Sequence, residues 1–358
     1  MLQKIISLPL YNKRIFMRKK IIIASTVLII GTCIIVGYQF YRIILAPNVI
    51  CPEPIYLYIT SKDTYADVCK QIQTNKILLN YNSFDKVAQR KNYPNKVKAG
   101  RYKITPGMSN NELINMLRSG RQEPINLTFN NIRTKLQFAN RIAEQIECNA
   151  DDILTLLNTD TLAEKYGFTT ENILCMFIPN TYQFYWNTSA HQFIERMYKE
   201  YQIFWNESRT SLSQSMSLSP IEISILASIV EEENHLQAEQ ATIAGLFINR
   251  LHQDMPLESD PTLKFALGDF TIKRVLNQDK LIDSKYNTYM YKGLPPGPIR
   301  IPSPHAIDAV LHYEKHNYIY MCAKEDFSGY HNFAVTLSQH NRNANRYHHA
   351  LNSLQIKR

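Results

Sequence analysis

Glycine is scarce in this chain, 11 residues in 358, and none of them forms a Gly-rich phosphate loop, which argues against a nucleotide-binding enzyme. The six cysteines (Cys33, Cys51, Cys69, Cys148, Cys175, Cys322) include no Cys-x-x-Cys pair and no Cys/His spacing of the kind that holds zinc. Cys33 lies in an apolar run, which leaves an odd five elsewhere, so no disulfide framework is indicated and at least one thiol is expected to be unpaired. No internal repeat or low-complexity tract occurs. The formal charge of +9 would suit a nucleic-acid partner, but its distribution does not. Lys4, Lys13, Arg14, Arg18, Lys19 and Lys20 lie in the first twenty residues with no acidic residue among them. The remainder is only mildly basic, without a basic stripe interleaved with aromatics, so no nucleic acid is expected as partner.

Acidic and basic residues are also missing from Ile21 to Phe40. About 20 apolar residues rising ~1.5 Å each cross the ~30 Å hydrocarbon core of a bilayer. Tyr38, Tyr41 and Arg42 stand at the far end, where interfacial anchors belong. A cleaved signal peptide would need a shorter apolar stretch and a small-residue cleavage site, which Ala46-Pro47 does not supply. The predicted organisation is a cytoplasmic basic tail (1–20), a transmembrane anchor (21–43), a small domain with its connector (44–124) and a larger domain (125–358). The positive flank keeps the N-terminus in the cytoplasm and places everything after about Ala46 outside the plasma membrane. A start at Met17 would preserve that topology, because MRKK alone sets it.

With hydrophobic residues at 45% and charged residues at 20%, the rest of the chain has the makings of ordinary cores. The fold class expected is α+β. In the small domain Ile55–Thr60 alternates like a strand, Tyr65–Leu78 has helical apolar spacing, and Lys98–Ile104 reads as a turn into a second strand. Ser109 is a candidate N-cap for a helix over Asn110–Leu117, and Gly120 is its stop. In the larger domain helices are predicted at Leu136–Ile146, Asp151–Leu157, Ala190–Glu207, Ile221–Leu251 (broken near Leu236) and Ser338–Leu351. A strand is predicted at Tyr318–Ala323. The mixture is not a regular βαβ series.

The segment IEISILASIVEEEN (Ile221–Asn234) carries the chemical signal. At ~100° per residue, Ile223, Ile225, Leu226, Ile229 and Val230 share one face, and Glu233 falls within roughly 10° of its centre. Glu231 points away and Glu232 lies at the flank. A carboxyl ending an apolar stripe is partly desolvated, which raises its pKa, as a general acid requires. The plainer reading of an EEE run is a solvated helix end, with Glu233 paired to Arg250 or a lysine. Around it stand Glu258, Asp260 and Thr262 in a turn-like segment, Tyr286, Asn287 and Tyr289, the stiff GLPPGP loop (Gly293–Pro298), and His331 and Phe333. Aromatic faces with amides and carboxylates suit a glycan groove, and these residues are the substrate-binding candidates.

In their order these motifs resemble the MltG (YceG-like) endolytic murein transglycosylases. The resemblance rests on AGRYKITPGMSNNELINMLRSG (Ala99–Gly120), FIPNTYQFYW (Phe177–Trp186), ASIVEEEN (Ala227–Asn234), FINRL (Phe247–Leu251), ESDPT (Glu258–Thr262), YNTY (Tyr286–Tyr289), GLPPGPI, HNF and SQHN. It implies a LysM-like small domain, a YceG-like catalytic domain and Glu233 as the catalytic residue, the position the helical wheel picks independently. It further implies cleavage of glycan strands between N-acetylmuramic acid and N-acetylglucosamine with 1,6-anhydro ends, no metal or organic cofactor, and peptidoglycan polymerases as partners. The chain departs from the pattern at Glu258, where glutamine is common, at Asn130-Asn131 in place of Glu-Gly, and at Asn180 in place of aspartate. Two alternatives stay open: a two-carboxylate glycan hydrolase using Glu258 or Asp260, and a non-catalytic glycan-binding or division scaffold.

Overall fold

The computed structural model describes residues 8–272 and 275–353. The start of the basic tail, with Lys4, lies outside the described residues. Contacts divide the chain into two units, residues 1–124 with 185–187, and residues 125–184 with 188–358.

The first unit opens with helix α1 (Leu8–Ile44), of which Ile15–Ile44 is long and apolar enough to cross a membrane. Its large apolar side chains are bare, Leu28 at 72% exposure and Ile34 at 65%, which fits a segment whose solvent is lipid. After it come β1 (Ile55–Ile59), α2 (Tyr65–Thr74), α3 (Tyr81–Arg90), β2 (Gly100–Ile104) and α4 (Asn110–Ser119). Strands β1 and β2 pair antiparallel with Ile55 opposite Ile104. Their period of two buries Leu57, Ile59, Tyr102 and Ile104 against the helices. Ser109 and Glu112 close a capping box at the start of α4, and Gly120 ends it in the left-handed conformation. The helix predicted over Tyr65–Leu78 is α2, which ends at Thr74, and α3 is a second helix not expected from the sequence, capped by Asn80 accepting from the Ser83 amide.

The second unit contains β3 (Ile125–Phe129), α5 (Lys135–Ala143), α6 (Ala150–Leu157), α7 (Asp160–Lys165), β4 (Asn180–Phe184), α8 (Ala190–Phe204) and α9 (Glu207–Ser215). There follow α10 (Pro220–Glu233), α11 (Gln237–His252), α12 (Asp260–Leu267), α13 (Pro304–Leu311), β5 (Tyr320–Ala323), β6 (His331–Ala334) and α14 (Leu337–Ser353). Strands pair only two at a time, β3 with β4 and β5 with β6, both antiparallel, so the architecture is α+β. The predicted helix Ala190–Glu207 is α8, which ends at Phe204, and Asn206 starts α9, not expected from the sequence, by accepting from the Arg209 amide.

Helix α10 lies between two cores. Ile225 belongs to one, with Phe138, Phe177 and Phe193. Ile223, Leu226, Ile229 and Val230 belong to the other, with Phe247 and Val310. The stripe read from the sequence is therefore too narrow: every residue from Ile223 to Val230 is buried, Ser224, Ala227 and Ser228 included. A helix wrapped on all sides has little freedom to move, and it delivers its last turn to a fixed place.

Candidate active site

Helix α10 begins with a capping box between Ser219 and Glu222 and with Pro220 in the first turn. It stops at Asn234, whose side-chain oxygen accepts from the Leu236 amide at 2.8 Å and whose amide group donates to Glu239 at 2.6 Å. These bonds form the break between α10 and α11.

The three glutamates at this end have three different surroundings. Glu231 accepts from the Ser303 amide at 2.9 Å and pairs with Arg300 Nε at 3.5 Å. Glu232 accepts two bonds from Arg133, at 3.1 and 3.0 Å, and one from Arg300 Nη1 at 3.0 Å. Both side chains are only 13% exposed, so they do not form a solvated helix end. Glu233 makes no ion pair among the described residues and accepts a hydrogen bond from the Ser259 hydroxyl. Burial pushes its carboxyl up to about 7; the Ser259 bond opposes the shift, and the nearby Asp260 charge adds to it.

Glu233 lies in a cleft of about 440 Å³, shared with Glu258, Asp260, Tyr289, His331, Arg250 and Tyr320. Glu258 is ion-paired to the buried Arg250, which is why Arg250 is not Glu233's partner. Asp260 accepts from the Tyr289 hydroxyl at 2.6 Å, and burial followed by that bond raises the phenol's pKa. His331 donates its backbone N–H to Glu239 at 2.8 Å, and its Nδ1 lies 2.7 Å from the same carboxylate. Burial pushes the Glu239 carboxyl up, yet the bonds from His331 and Asn234 outweigh it and hold the group below its usual range.

Four predicted substrate contacts lie elsewhere. Thr262 and Asn287 are fully buried and cannot touch a ligand. Thr262 bonds to the Ser259 carbonyl at 2.7 Å and lies 2.8 Å from the Thr288 hydroxyl, holding the turn that aims Ser259. Asn287 donates to the carbonyls of Lys280 and Ile282 and accepts from the Tyr289 amide, which sets Tyr289 in place. Tyr286 packs on Phe265, their ring centres 4.7 Å apart, and borders a different cavity. Phe333 stacks on Tyr318 at 5.5 Å, against the core. In the GLPPGP loop a Cβ on Gly297 would stand 2.1 Å from the Glu171 carbonyl oxygen, so that glycine permits a close backbone crossing. Asn131, one of the departures in the sequence, has φ +50°, a conformation asparagine tolerates, and its side chain accepts from Arg300 at 3.1 Å.

Residues 57–346 match the model of the YceG-like family. The chain belongs to that family. An endolytic murein transglycosylase of Bacillus subtilis (strain 168) is 31% identical over 265 residues, covering 70% of this chain and 72% of the relative. An endolytic murein transglycosylase of Streptococcus pneumoniae (strain R6) is 28% identical over 274 residues, covering 67% of this chain but only 49% of the relative. The chain therefore spans about half the length of the streptococcal protein. The 2.6 Å crystal structure of a YceG-like protein from Listeria monocytogenes is 28% identical and superposes with a TM-score of 0.54, over 82% of this chain and 99% of that one.

Within this YceG-like site the sequence reading passed over Ser259, Arg250, Glu239, Arg133 and Arg300. Ser259 stood inside the ESDPT motif, and Arg250 was considered only as a partner for Glu233. Nothing local marked Glu239, whose partner His331 is 92 residues away. Glu239→Gln places an amide N–H where three donors converge and releases His331. It is expected to lower kcat/KM on glycan strands about 100-fold, the cost of a small misplacement at a reacting centre. Steady-state kinetics with a pH profile checks this, and an unaltered profile with full activity would leave the Glu239–His331 pair a merely structural role.

Proposed function

We propose that this chain is a membrane-anchored peptidoglycan transglycosylase that cuts glycan strands internally, at the β-1,4 bond from N-acetylmuramic acid to N-acetylglucosamine. The observation that carries the reading is the Glu233 carboxyl in the cleft, which makes no ion pair among the described residues and has its pKa raised to about 7. A glycosidase that uses water needs a second carboxylate. Here Glu258 is tied to Arg250, which leaves Asp260, bonded to the Tyr289 hydroxyl, as the carboxylate that such a reaction would have to use. The relatives named endolytic murein transglycosylases support the same choice.

Protonated Glu233 gives its proton to the glycosidic oxygen as the bond from that oxygen to C1 of the muramic ring breaks. Its carboxylate then takes the proton of the ring's own C6 hydroxyl while O6 bonds to C1. The products are an N-acetylglucosamine hydroxyl and a 1,6-anhydro-muramic end, and Glu233 is again protonated; no water is consumed. His331, held by Glu239, and Tyr289, held by Asp260, face the same cleft and orient the sugars. The anchor sets the N-terminus in the cytoplasm and the cleft outside, where nascent strands leave their polymerases, and cutting there limits strand length.

Mass spectrometry of the products from uncrosslinked strands tests the reaction. Anhydro-muramic ends are expected. Reducing ends would replace this reading with a water-using hydrolase, and uncut strands would replace it with a binding scaffold.

A further inference from the structure

A second cavity, of about 200 Å³, is bordered by Arg133, Glu232, His235, Lys264 and Phe270, with Pro261 and Ile299. Its charges do not cancel. Glu231 and Glu232 are balanced by Arg133 and Arg300. Lys264, one turn into α12, makes no ion pair among the described residues; its charge lowers the Glu233 pKa, an effect that Lys264→Gln removes equally on every substrate. Arg133 commits Nε and Nη2 to Glu232, and its guanidinium lies 5.0 Å from the centre of the Phe270 ring. Nη1 has no hydrogen-bond partner among the described residues. A guanidinium edge beside an ammonium, with an aromatic ring for a wall, is a setting for a carboxylate.

The position matters as much as the charge. Glu232 borders this cavity and Glu233 the cleft; Pro261 borders the cavity and Asp260 the cleft. The last turn of α10 and the first turn of α12 thus border both spaces. Beyond Arg133 the surface opens into a cavity of about 520 Å³ walled in part by Lys135, Phe265 and Tyr286.

We propose that the Arg133–Lys264 cavity is a carboxylate subsite for the peptide borne by the muramic ring whose bond is cut. This rests on the transglycosylase reading. In murein that ring carries, through a lactyl ether on C3, a short peptide with free carboxylates. With C1 at Glu233, a substituent on C3 departs from the adjacent side of the same ring. Its first carboxylate meets Arg133 and Lys264, and the remainder of the peptide runs into the larger cavity.

The test uses the full chain in detergent, wild type and Lys264→Gln; an Arg133 variant is avoided because it would release Glu232. kcat/KM is compared on strands whose peptides keep their free carboxylates and on strands whose peptide carboxylates are amidated, because removing the peptide with an amidase would bare the lactyl carboxylate on C3. The wild type is expected to prefer the free-carboxylate strands by about tenfold, the worth of a charge-assisted contact, and in Lys264→Gln the ratio is expected to fall close to one. Equal wild-type rates on both substrates, or a ratio unchanged by the substitution, overturns the subsite. Titration with the free peptide, and with inorganic phosphate as control, reads binding without cutting. Peptide binding that Lys264→Gln weakens supports the subsite even if no strand is cut, in which case only the transglycosylase reading falls. Phosphate binding as tightly as the peptide overturns the assignment in favour of a general anion site.

Discussion

Glu233→Gln is expected to lower kcat on glycan strands about 10³-fold, within the range for loss of a positioned general acid–base. Glutamine keeps the shape and an acceptor for Ser259 but has no proton to give. The wild-type rate should fall as pH rises through about 7, where Glu233 loses the proton it must donate. The same shift makes a prediction about stability, which also falls as pH rises. Below about pH 4.5, the ordinary carboxyl value, folded and unfolded chains both hold this proton and the group has no effect. Between there and about 7 the unfolded chain releases it and the folded chain does not, so stability drops with rising pH. Above about 7 the whole penalty is present, on the order of 3 kcal/mol before solvent relaxation. Glu233→Gln should therefore melt several degrees above wild type at pH 8 and alongside it at pH 4. Thermal scans at the two pH values decide this; equal melting at pH 8 would mean that Glu233 is not desolvated as described.

Arg300→Met is expected to cost about 3–5 kcal/mol, because it strands buried carboxylates rather than removing an ion pair whole. Arg300 is 6% exposed and bonds Glu231, Glu232 and Asn131 together. Without it Glu231 keeps only the Ser303 amide, and Glu232 only Arg133. The last turn of α10 then loses its anchorage, and Glu233 with it, so activity should fall along with stability. Adding Glu231→Gln to Arg300→Met should recover part of the stability by removing one stranded charge. Denaturant unfolding of both variants measures the effect, and a double variant no more stable than the single one would count against this account.

Much of the chain could be read locally. The apolar run of α1, the Ser109 cap of α4, the break near Leu236 and the helical face that carries Glu233 follow from forces acting within a few residues: helical period, a capping hydrogen bond and a residue that interrupts the turn. The helices not expected from the sequence, α3 and α9, are capped by Asn80 and Asn206, at or just past the ends of the predicted runs.

The division of labour around Glu233 lay beyond that reach. Glu232 finds Arg133 99 residues away and Arg300 68 residues away, and Glu239 finds His331 at 92. No periodicity spans such distances. Burial makes the pairings obligatory, since a carboxylate removed from water must find a donor wherever the fold supplies one. Thr262 and Asn287 looked like glycan contacts because their residue types bond sugars, and packing closed them off instead. Glu258 and Asp260 read alike in the sequence, and only the fold separates them, pairing Glu258 with Arg250 and bonding Asp260 to the Tyr289 hydroxyl. Helical period singles out Glu233 in the linear chain; which neighbours surround it is set by long-range pairing inside the fold, because only there does desolvation assign each polar group its partner.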